Sequence, residues 1–328
     1  ATLFAALSDP RTPLFSLLNG EGAGAMLAAA AGDVAGGASQ VGYSALTQQA
    51  TMLAYHLLRH NTIDRPTLAD DWLDLWADEA NPSVYRAPSA QFVGWLEATV
   101  RGEAAATAEP SAEPAARVHP VGVWFRRDPG QLVGAAISMA RITHIDATTV
   151  VNATAVAGAV AASAFAQAGR DLLIGTAEVC ERALAEIEAE GFLYSRVEEA
   201  RQVPSRLRKA SDLVGLPAGE LGRQLSAGEP TALDWPIIAI VLAADTAVEP
   251  YRLIETAATW GGGLLAVMVG SMVGARVGLR SWPWVVPNDT WFAEIGRRLV
   301  NGNRETRDIP VPYQVEERLT YGIDTRFS

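Results

Sequence analysis

The sequence is poor in cysteine and lysine: it has one of each, Cys180 and Lys209, among 328 residues. A single cysteine excludes an internal disulfide and a set of thiolate metal ligands, so we expect a protein of the reducing cytoplasm. A single lysine leaves one candidate for Schiff-base or lysine-nucleophile chemistry, and it lies in the charged run of residues 206–210. We therefore expect other side chains to carry the chemistry.

Positive charge is also scarce, because 26 basic side chains stand against 37 acidic ones and give a formal net charge of -11. Such a surface repels polyanions, which excludes nucleic acid as an expected partner. The first ten residues contain no basic stretch ahead of an apolar run, so we expect no secretory signal there. Three apolar segments, 147–168, 236–248 and 261–279, are interpreted as buried helices rather than membrane spans.

Strand patterns are missing as well, because neither alternating polarity nor a fixed repeat dominates any part of the chain. With 49% hydrophobic residues the chain can bury a large core, and the spacing predicts an all-α fold in one compact domain over residues 1–328. The longer helical patterns cover 46–59, 130–142, 147–168, 172–190, 235–245, 249–259, a Gly-rich helix from 261, and 289–300, before a polar tail. Residues 102–117, rich in Ala, Glu and Pro, predict a flexible, solvated loop.

Four histidines are candidates for chemistry. His56 and His60 are four residues apart on one predicted helix, a spacing that can place two imidazoles beside one metal. No glutamate stands between them in a His-Glu-x-x-His arrangement, so we interpret them as a histidine pair at a helix end. His119 lies in a helix-entry turn. His144 lies in a polar patch between two apolar helices, where it is either functional or part of a cap formed with Thr143 or Asp146.

Two glycine-containing segments are candidates for ligand contact. Asp33 follows a glycine at the end of an apolar helix, where either a ligand approaches the backbone or the helix simply ends. Residues 261–263 are three consecutive glycines. They either leave backbone N–H groups free to face an anion at a helix start or form a tight loop with unusual backbone angles.

Five short motifs become informative through their order. They are residues 24–36 (GAMLAAAAGDVAG), 42–47 (GYSALT), 117–122 (RVHPVG), 143–144 (TH) and 259–270 (TWGGGLLAVMVG). Their order resembles that of the ADP-ribosylglycohydrolase superfamily over roughly residues 20 to 300. The resemblance implies an all-helical globule of the ADP-ribosylglycohydrolase type, which in that family is built around a binuclear magnesium site.

The acidic residues of that family do not recur at the matching positions. The resemblance places the family's aspartate pair on Ala45 and Leu46, its later Asp-Thr-Asp-Thr on residues 261–264, and its early acid near Gln40. Magnesium needs several hard oxygen ligands in near-octahedral geometry, which these residues do not offer. We therefore expect no metal and no other cofactor, and no activation of water by a metal pair.

The sequence favours a metal-independent ADP-ribosylglycohydrolase-like enzyme that acts on a ribosyl compound, a nucleoside or another small metabolite. Asp33, His144 and Asp146 are the predicted catalytic side chains, because a carboxylate beside an imidazole in a cleft can be tuned toward neutral pH. The predicted ligand-binding residues are polar or small: Gln40, Ser44, Thr47, Gln48, Asn152, Trp260, Gly261, Gly262 and Gly263. The alternative is a catalytically inactive pseudoenzyme that binds ADP-ribose, a related ligand or a protein partner. A purely structural role is a third hypothesis.

Overall fold

The structure, a computed structural model, describes residues 13–76, 83–103, 106–192, 194–226, 228–302 and 309–321, and of residues 13–19 only the backbone. Within these ranges the chain forms sixteen α-helices, one short 3-10 helix at Ser211–Leu213 and no β-strand. The α-helices are α1 (Pro13–Gly36), α2 (Ala45–His60), α3 (Arg65–Leu73), α4 (Ala90–Val100), α5 (Glu113–Arg117), α6 (His119–Trp124), α7 (Pro129–Ala140), α8 (Ala147–Ser163), α9 (Gly169–Ala189), α10 (Val197–Ala200), α11 (Val203–Ala210), α12 (Ala218–Leu225), α13 (Trp235–Ala244), α14 (Pro250–Val277), α15 (Asp289–Asn301) and α16 (Pro312–Tyr321). The prediction of an all-α fold is confirmed.

Two long helices, α1 and α14, pack closely against each other. A Cβ atom at Gly24, Gly32 or Gly36 would lie 2.1 to 2.3 Å from the backbone of α14. These glycines are separated by multiples of four residues, so they share one face of α1. Because no larger side chain fits between the two backbones, this face fixes how α1 sits on α14.

The apolar helix α8 is buried along nearly its whole length, with all of its residues except Ala162 shielded from solvent. It contacts α5, α6, α7, α9 and α14, so its alanine and valine surface is covered on every side. A helix that is apolar all round is expected in such a central position. The interpretation of residues 147–168 as a buried helix therefore agrees with the structure over 147–163, whereas residues 164–168 lie beyond the helix and Phe165 among them is exposed.

In the described ranges, α14 is the one helix that is long and apolar enough to cross a membrane. However, 67% of its most apolar stretch is buried inside the protein, as in a core helix. The helices expected at 249–259 and from 261 are both present. Together they form α14, and they meet at a kink at Gly262, whose backbone angles are not helical.

Two expectations require correction. The segment 102–117 is not a solvated loop throughout, since its last part forms α5, in which Pro114 to Arg117 are buried. The polar tail contains α16, which contacts α2. There Glu316 is fully buried and forms a 2.7 Å ion pair with Arg86, which a reading of local composition could not reveal.

Candidate functional site

A cavity of about 260 Å³ lies where the beginning of α2, the kink of α14 and α5 meet. It is lined by four polar side chains among small or apolar residues. The polar residues are Ser44, Gln49, Ser89 and Glu113, and the others are Ala38, Ala45, Leu46, Ala87, Gly261, Gly263 and Leu264. A larger cavity of about 500 Å³ lies beside residues 279–286, but it contains none of the predicted site residues. The smaller cavity is therefore the candidate site.

Asp33, near the end of α1, is fully buried and anchors the beginning of α2. Its Oδ2 accepts hydrogen bonds from N and Oγ of Ser44, each at 2.9 Å, and from Oγ1 of Thr47 at 2.7 Å. Burial raises the pKa of Asp33, and the hydrogen bonds from Thr47 and Ser44 oppose this rise. Asp33 thus holds Ser44 at the cavity wall without lining the cavity itself.

The kink of α14 brings its backbone against Asp33. Gly262 has a φ of 64° and a ψ of -160°, so the unusual angles expected of a tight loop occur at this position. A Cβ atom on Gly263 would lie 3.1 Å from Oδ1 of Asp33. That oxygen is buried and has no hydrogen-bond partner among the described residues. The glycine run therefore permits a close approach between α14 and Asp33.

Gln49 faces the cavity with its amide held in one orientation. Its Oε1 accepts a hydrogen bond from Nη1 of Arg117, which requires the oxygen, rather than the amide nitrogen, to face the guanidinium. Within the described residues, Nε2 of Gln49 has no hydrogen-bond partner. The cavity is therefore supplied with an oriented amide that can donate to a ligand.

Arg117 lies behind Gln49 as a fully buried guanidinium. It stacks on the ring of Trp72 at 4.5 Å and donates to Oγ1 of Thr143. In the described part of the chain, no carboxylate lies within ion-pair distance of it, and burial lowers its pKa to about 10. The carboxylate of Glu113 acts on Arg117 electrostatically without forming an ion pair, so the positive potential of the guanidinium on this side of the cavity is partly offset.

His144 is connected to the cavity only through other side chains. Its Nδ1 lies 2.7 Å from Oγ1 of Thr143, which also bonds Arg117. Burial, followed by the charge of Arg117, lowers the pKa of His144 to about 3, so the imidazole is neutral at pH 7. Its Nε2 is buried and has no hydrogen-bond partner in the described structure.

Of the predicted ligand-binding residues, Ser44, Gly261 and Gly263 line the cavity. The other six lie outside its lining. Gln40 is exposed, and Gly262 forms the kink itself. The side chain of Thr47 bonds Asp33.

The remaining three of these six have structural partners elsewhere. Gln48 is bonded to Val84, Arg86 and Glu316. The amide of Asn152 donates to the carbonyl of Leu233. Trp260 packs edge-to-face on Trp235, with ring centroids 5.3 Å apart.

The three predicted catalytic side chains do not meet in the cavity. Asp33 lies beneath its wall, and His144 is separated from it by Thr143 and Arg117. Asp146 caps α8, because its Oδ1 accepts a 2.7 Å hydrogen bond from N of Thr149. Its other oxygen lies 3.5 Å from Nε of Arg196, which gives the carboxylate a structural partner.

Sequence reasoning missed Gln49, Ser89 and Glu113 as cavity residues. Gln49 follows the predicted Gln48 directly, and adjacent residues of a helix point about 100° apart. The motif alone does not tell which of the two glutamines faces the cavity. Glu113 lies in the segment 102–117, for which the sequence predicts a solvated loop. A usable signal was present, since Glu113 lies one helical turn before Arg117 of the 117–122 motif.

The oxygen atoms of the cavity do not fit a pair of magnesium ions. Mg²⁺ is held mainly by carboxylates and water, whereas the described lining offers the single carboxylate of Glu113. The hydroxyl of Ser44 already donates to Asp33, and Ala45 and Leu46 provide only hydrocarbon. The replacement of the family's metal ligands stays a prediction.

Comparisons with known proteins support one family. The profile of the family described as ADP-ribosylglycohydrolase matches residues 20–308. A solved structure described as an ADP-ribosylglycohydrolase-related protein complex is similar, with a TM-score of 0.57 and 17% sequence identity, over 87% of this chain and 99% of that chain. At this identity the likeness shows a shared fold. No curated protein matches the chain.

Proposed function

The chain belongs to the ADP-ribosylglycohydrolase family, and on this basis we propose that its cavity binds a ribosyl-type small ligand without a binuclear magnesium centre. The observation that carries the proposal is the cavity lining. It combines the two motif segments 44–46 and 261–264 with one carboxylate, Glu113. The segments that match the family's motifs thus still surround a cavity, but they do not supply the oxygen ligands that two metal ions need.

The dimensions and polarity of the cavity support a sugar-sized group. A volume of about 260 Å³ is slightly below the range of about 300 to 1,000 Å³ that is usual for drug-sized ligands. A pentose fits this space, and an attached base or phosphate extends beyond it. The Glu113 carboxylate accepts hydrogen bonds from sugar hydroxyls, and Nε2 of Gln49 donates one.

Charge favours a ligand that carries a phosphate. The buried guanidinium of Arg117 lies directly behind Gln49. It forms no ion pair within the described residues, and the carboxylate of Glu113, which acts on it electrostatically, offsets part of its charge. Its potential therefore favours an anionic group at the side of the cavity where Gln49 lies. Ribose 5-phosphate and ADP-ribose are the simplest molecules that combine a pentose with a nearby phosphate.

A metal-independent hydrolase is the second candidate, and Glu113 is the observation that favours it. A half-buried carboxylate in the cavity can accept a proton from a water molecule that attacks the ribosyl carbon. Asp33 would position Ser44, and His144 would act only through Thr143 and Arg117. Because one carboxylate supplies either an acid or a base, binding is the better supported function.

Calorimetric titration of the full chain with ADP-ribose, ribose 5-phosphate and adenosine tests the binding proposal, in buffer with EDTA. We expect the two phosphorylated probes to bind and adenosine to bind more weakly. The variant Ala45→Leu should weaken binding by about ten-fold or more, because the added side chain fills the cavity. Ala185→Leu, at an exposed position on α9, adds the same volume elsewhere and serves as the matched control.

Two outcomes would overturn the binding proposal. One is the absence of binding by any of the three probes. The other is equal affinity of the wild type and Ala45→Leu. Release of ADP-ribose from an ADP-ribosylated peptide in EDTA, abolished by Glu113→Gln, would establish the hydrolase instead. If Mg²⁺ is required for that release, the metal-free site is wrong.

A further inference from the structure

A second cluster of titratable side chains lies outside the cavity, at the end of α2 and on α3. It consists of His56, His60 and Asp71. One ligand atom from each of the three residues lies within 4.8 Å of the others. None of the three lines the candidate cavity, so this cluster is independent of the proposed function.

The local sequence brings these groups together. His56 and His60 are four residues apart on α2, so their rings lie on one face, with centroids 4.6 Å apart and ring planes tilted by 36°. Asn61 ends α2 in the left-handed conformation, and Asp64 caps the beginning of α3. This short connection turns α3 back, so that Asp71 faces His56.

We propose that His56, His60 and Asp71 form a binding site for one divalent transition-metal ion, with Zn²⁺ as the representative case. Two imidazoles and one carboxylate are a donor set that suits Zn²⁺ and disfavours Mg²⁺, which prefers oxygen ligands only. Three protein ligands leave the fourth tetrahedral position to water.

The hydrogen bonding of the cluster supports the proposal. Nε2 of His56 accepts a 3.4 Å hydrogen bond from N of Asp64, so Nδ1 carries the hydrogen and donates it to Oδ2 of Asp71 at 2.6 Å. A metal ion at the site would replace this hydrogen. Nε2 of His60 is buried, yet it has no hydrogen-bond partner among the described residues.

The surroundings of the cluster carry net negative charge. Asp64, Asp70 and Asp74 lie on α3 or at its ends, and Asp64 and Asp71 act electrostatically on His60. Arg59 carries an opposing positive charge, and its Nη1 lies 3.8 Å from Oδ1 of Asp71. His60 is partly exposed, so an ion can reach the site from solvent.

Zinc retention by the full chain tests the site. The protein is stripped with EDTA, dialysed against micromolar Zn²⁺ and then against metal-free buffer, and its metal content is measured by mass spectrometry. We expect one zinc ion per chain and a visible absorption spectrum of tetrahedral type when Co²⁺ replaces Zn²⁺. His60→Ala and Asp71→Asn should each weaken zinc binding by at least about ten-fold.

Two controls keep the outcome clear. Asp70→Asn changes an exposed neighbouring carboxylate and should retain zinc. Glu113→Gln changes the cavity and should also retain it, so that failure here is distinguishable from failure of the proposed function. The site is refuted if the wild type retains no zinc, or if His60→Ala retains as much as the wild type. His60 is chosen because its partly exposed ring can be removed without opening the core.

Discussion

Gly24 of α1 and Gly274 of α14 pack backbone against backbone. A Cβ atom on Gly24 would lie 2.2 Å from the carbonyl oxygen of Gly274, and one on Gly274 would lie 2.1 Å from that of Gly24. Real Cβ atoms do not approach backbone oxygens so closely. This contact, together with those of Gly32 and Gly36, sets the distance between α1 and α14. Asp33 and the kink at Gly262 belong to these two helices. The contact between Gly24 and Gly274 therefore also sets the position of both beside the cavity.

Adding one methyl group at Gly24 should therefore destabilise the protein. We expect Gly24→Ala to lower the free energy of unfolding by about 3 kcal/mol, because the backbones of two core helices must separate. The control is Gly94→Ala on the exposed face of α4, where a Cβ atom would meet nothing within 4 Å. That change should raise stability by about 0.5 to 1 kcal/mol, because alanine favours a helix. Urea denaturation followed by circular dichroism measures both, and equal effects would contradict the packing argument.

The buried carboxyl of Asp33 should impose a pH dependence on stability. Its folded pKa is raised above the unfolded value of about 3.9, so the native state retains a proton that the unfolded state has released. The stability contribution of Asp33 is thus fully present below pH about 4 and is lost as pH rises through the folded pKa. Relative to the non-titrating variant Asp33→Asn, the wild type should lose stability over that interval. Urea denaturation of both proteins from acid to neutral pH checks this, and parallel curves would refute it.

Removal of Glu316 should destabilise the attachment of α16 to the rest of the molecule. Its Oε2 lies 2.7 Å from Nη2 of Arg86, and both side chains are buried. We expect Glu316→Ala to cost about 3 to 5 kcal/mol, because Arg86 then remains buried without its counter-ion. Glu103→Ala, which breaks an exposed ion pair with Arg101, should cost less than about 1 kcal/mol. Similar losses in the two variants, measured by chemical denaturation, would disprove the structural role of α16.

Two adjacent glutamines should respond oppositely to the same substitution. Gln49→Glu places a carboxylate against Arg117, so we expect a gain of about 1 kcal/mol in stability at neutral pH. Gln48→Glu removes the amide that donates to Glu316 and places two carboxylates side by side, so it should lower stability. Thermal unfolding at pH 7 compares the two variants. A loss of stability in both would show that Arg117 does not need a counter-ion.

The sequence predicted the helices whose signals are local. Residues 46–59, 172–190 and 289–300 correspond closely to α2, α9 and α15, because amphipathic spacing and capping residues lie within each segment. The family was also accessible, since it depends on the order of short motifs along the chain. The cytoplasmic location and the exclusion of nucleic-acid and membrane partners stay predictions.

Other features depend on contacts between distant segments. The burial of Glu316 contradicts its polar surroundings in the sequence, because its carboxylate is covered by elements remote from it along the chain. Glu113 is only half-buried, and it lies at a cavity that remote segments help to form. The sequence predicts Asp33, His144 and Asp146 as a catalytic set because a carboxylate beside an imidazole in a cleft can be tuned toward neutral pH, but the sequence does not tell which way a side chain faces. In the folded protein Asp33 anchors α2, and Asp146 caps α8.

The chain alone determined that this molecule is helical and that its family is that of the ADP-ribosylglycohydrolases. The replacement of acids at Ala45 and Leu46 stays a prediction. Only the tertiary structure decided that Gln49, and not Gln48, faces the cavity, and that Glu113 is its carboxylate. The physical reason is that composition and the spacing of apolar residues determine only local structure, over a few turns of helix. The surroundings of a side chain are set by helix packing across hundreds of residues, and here that packing depends on the backbone contact of α1 with α14.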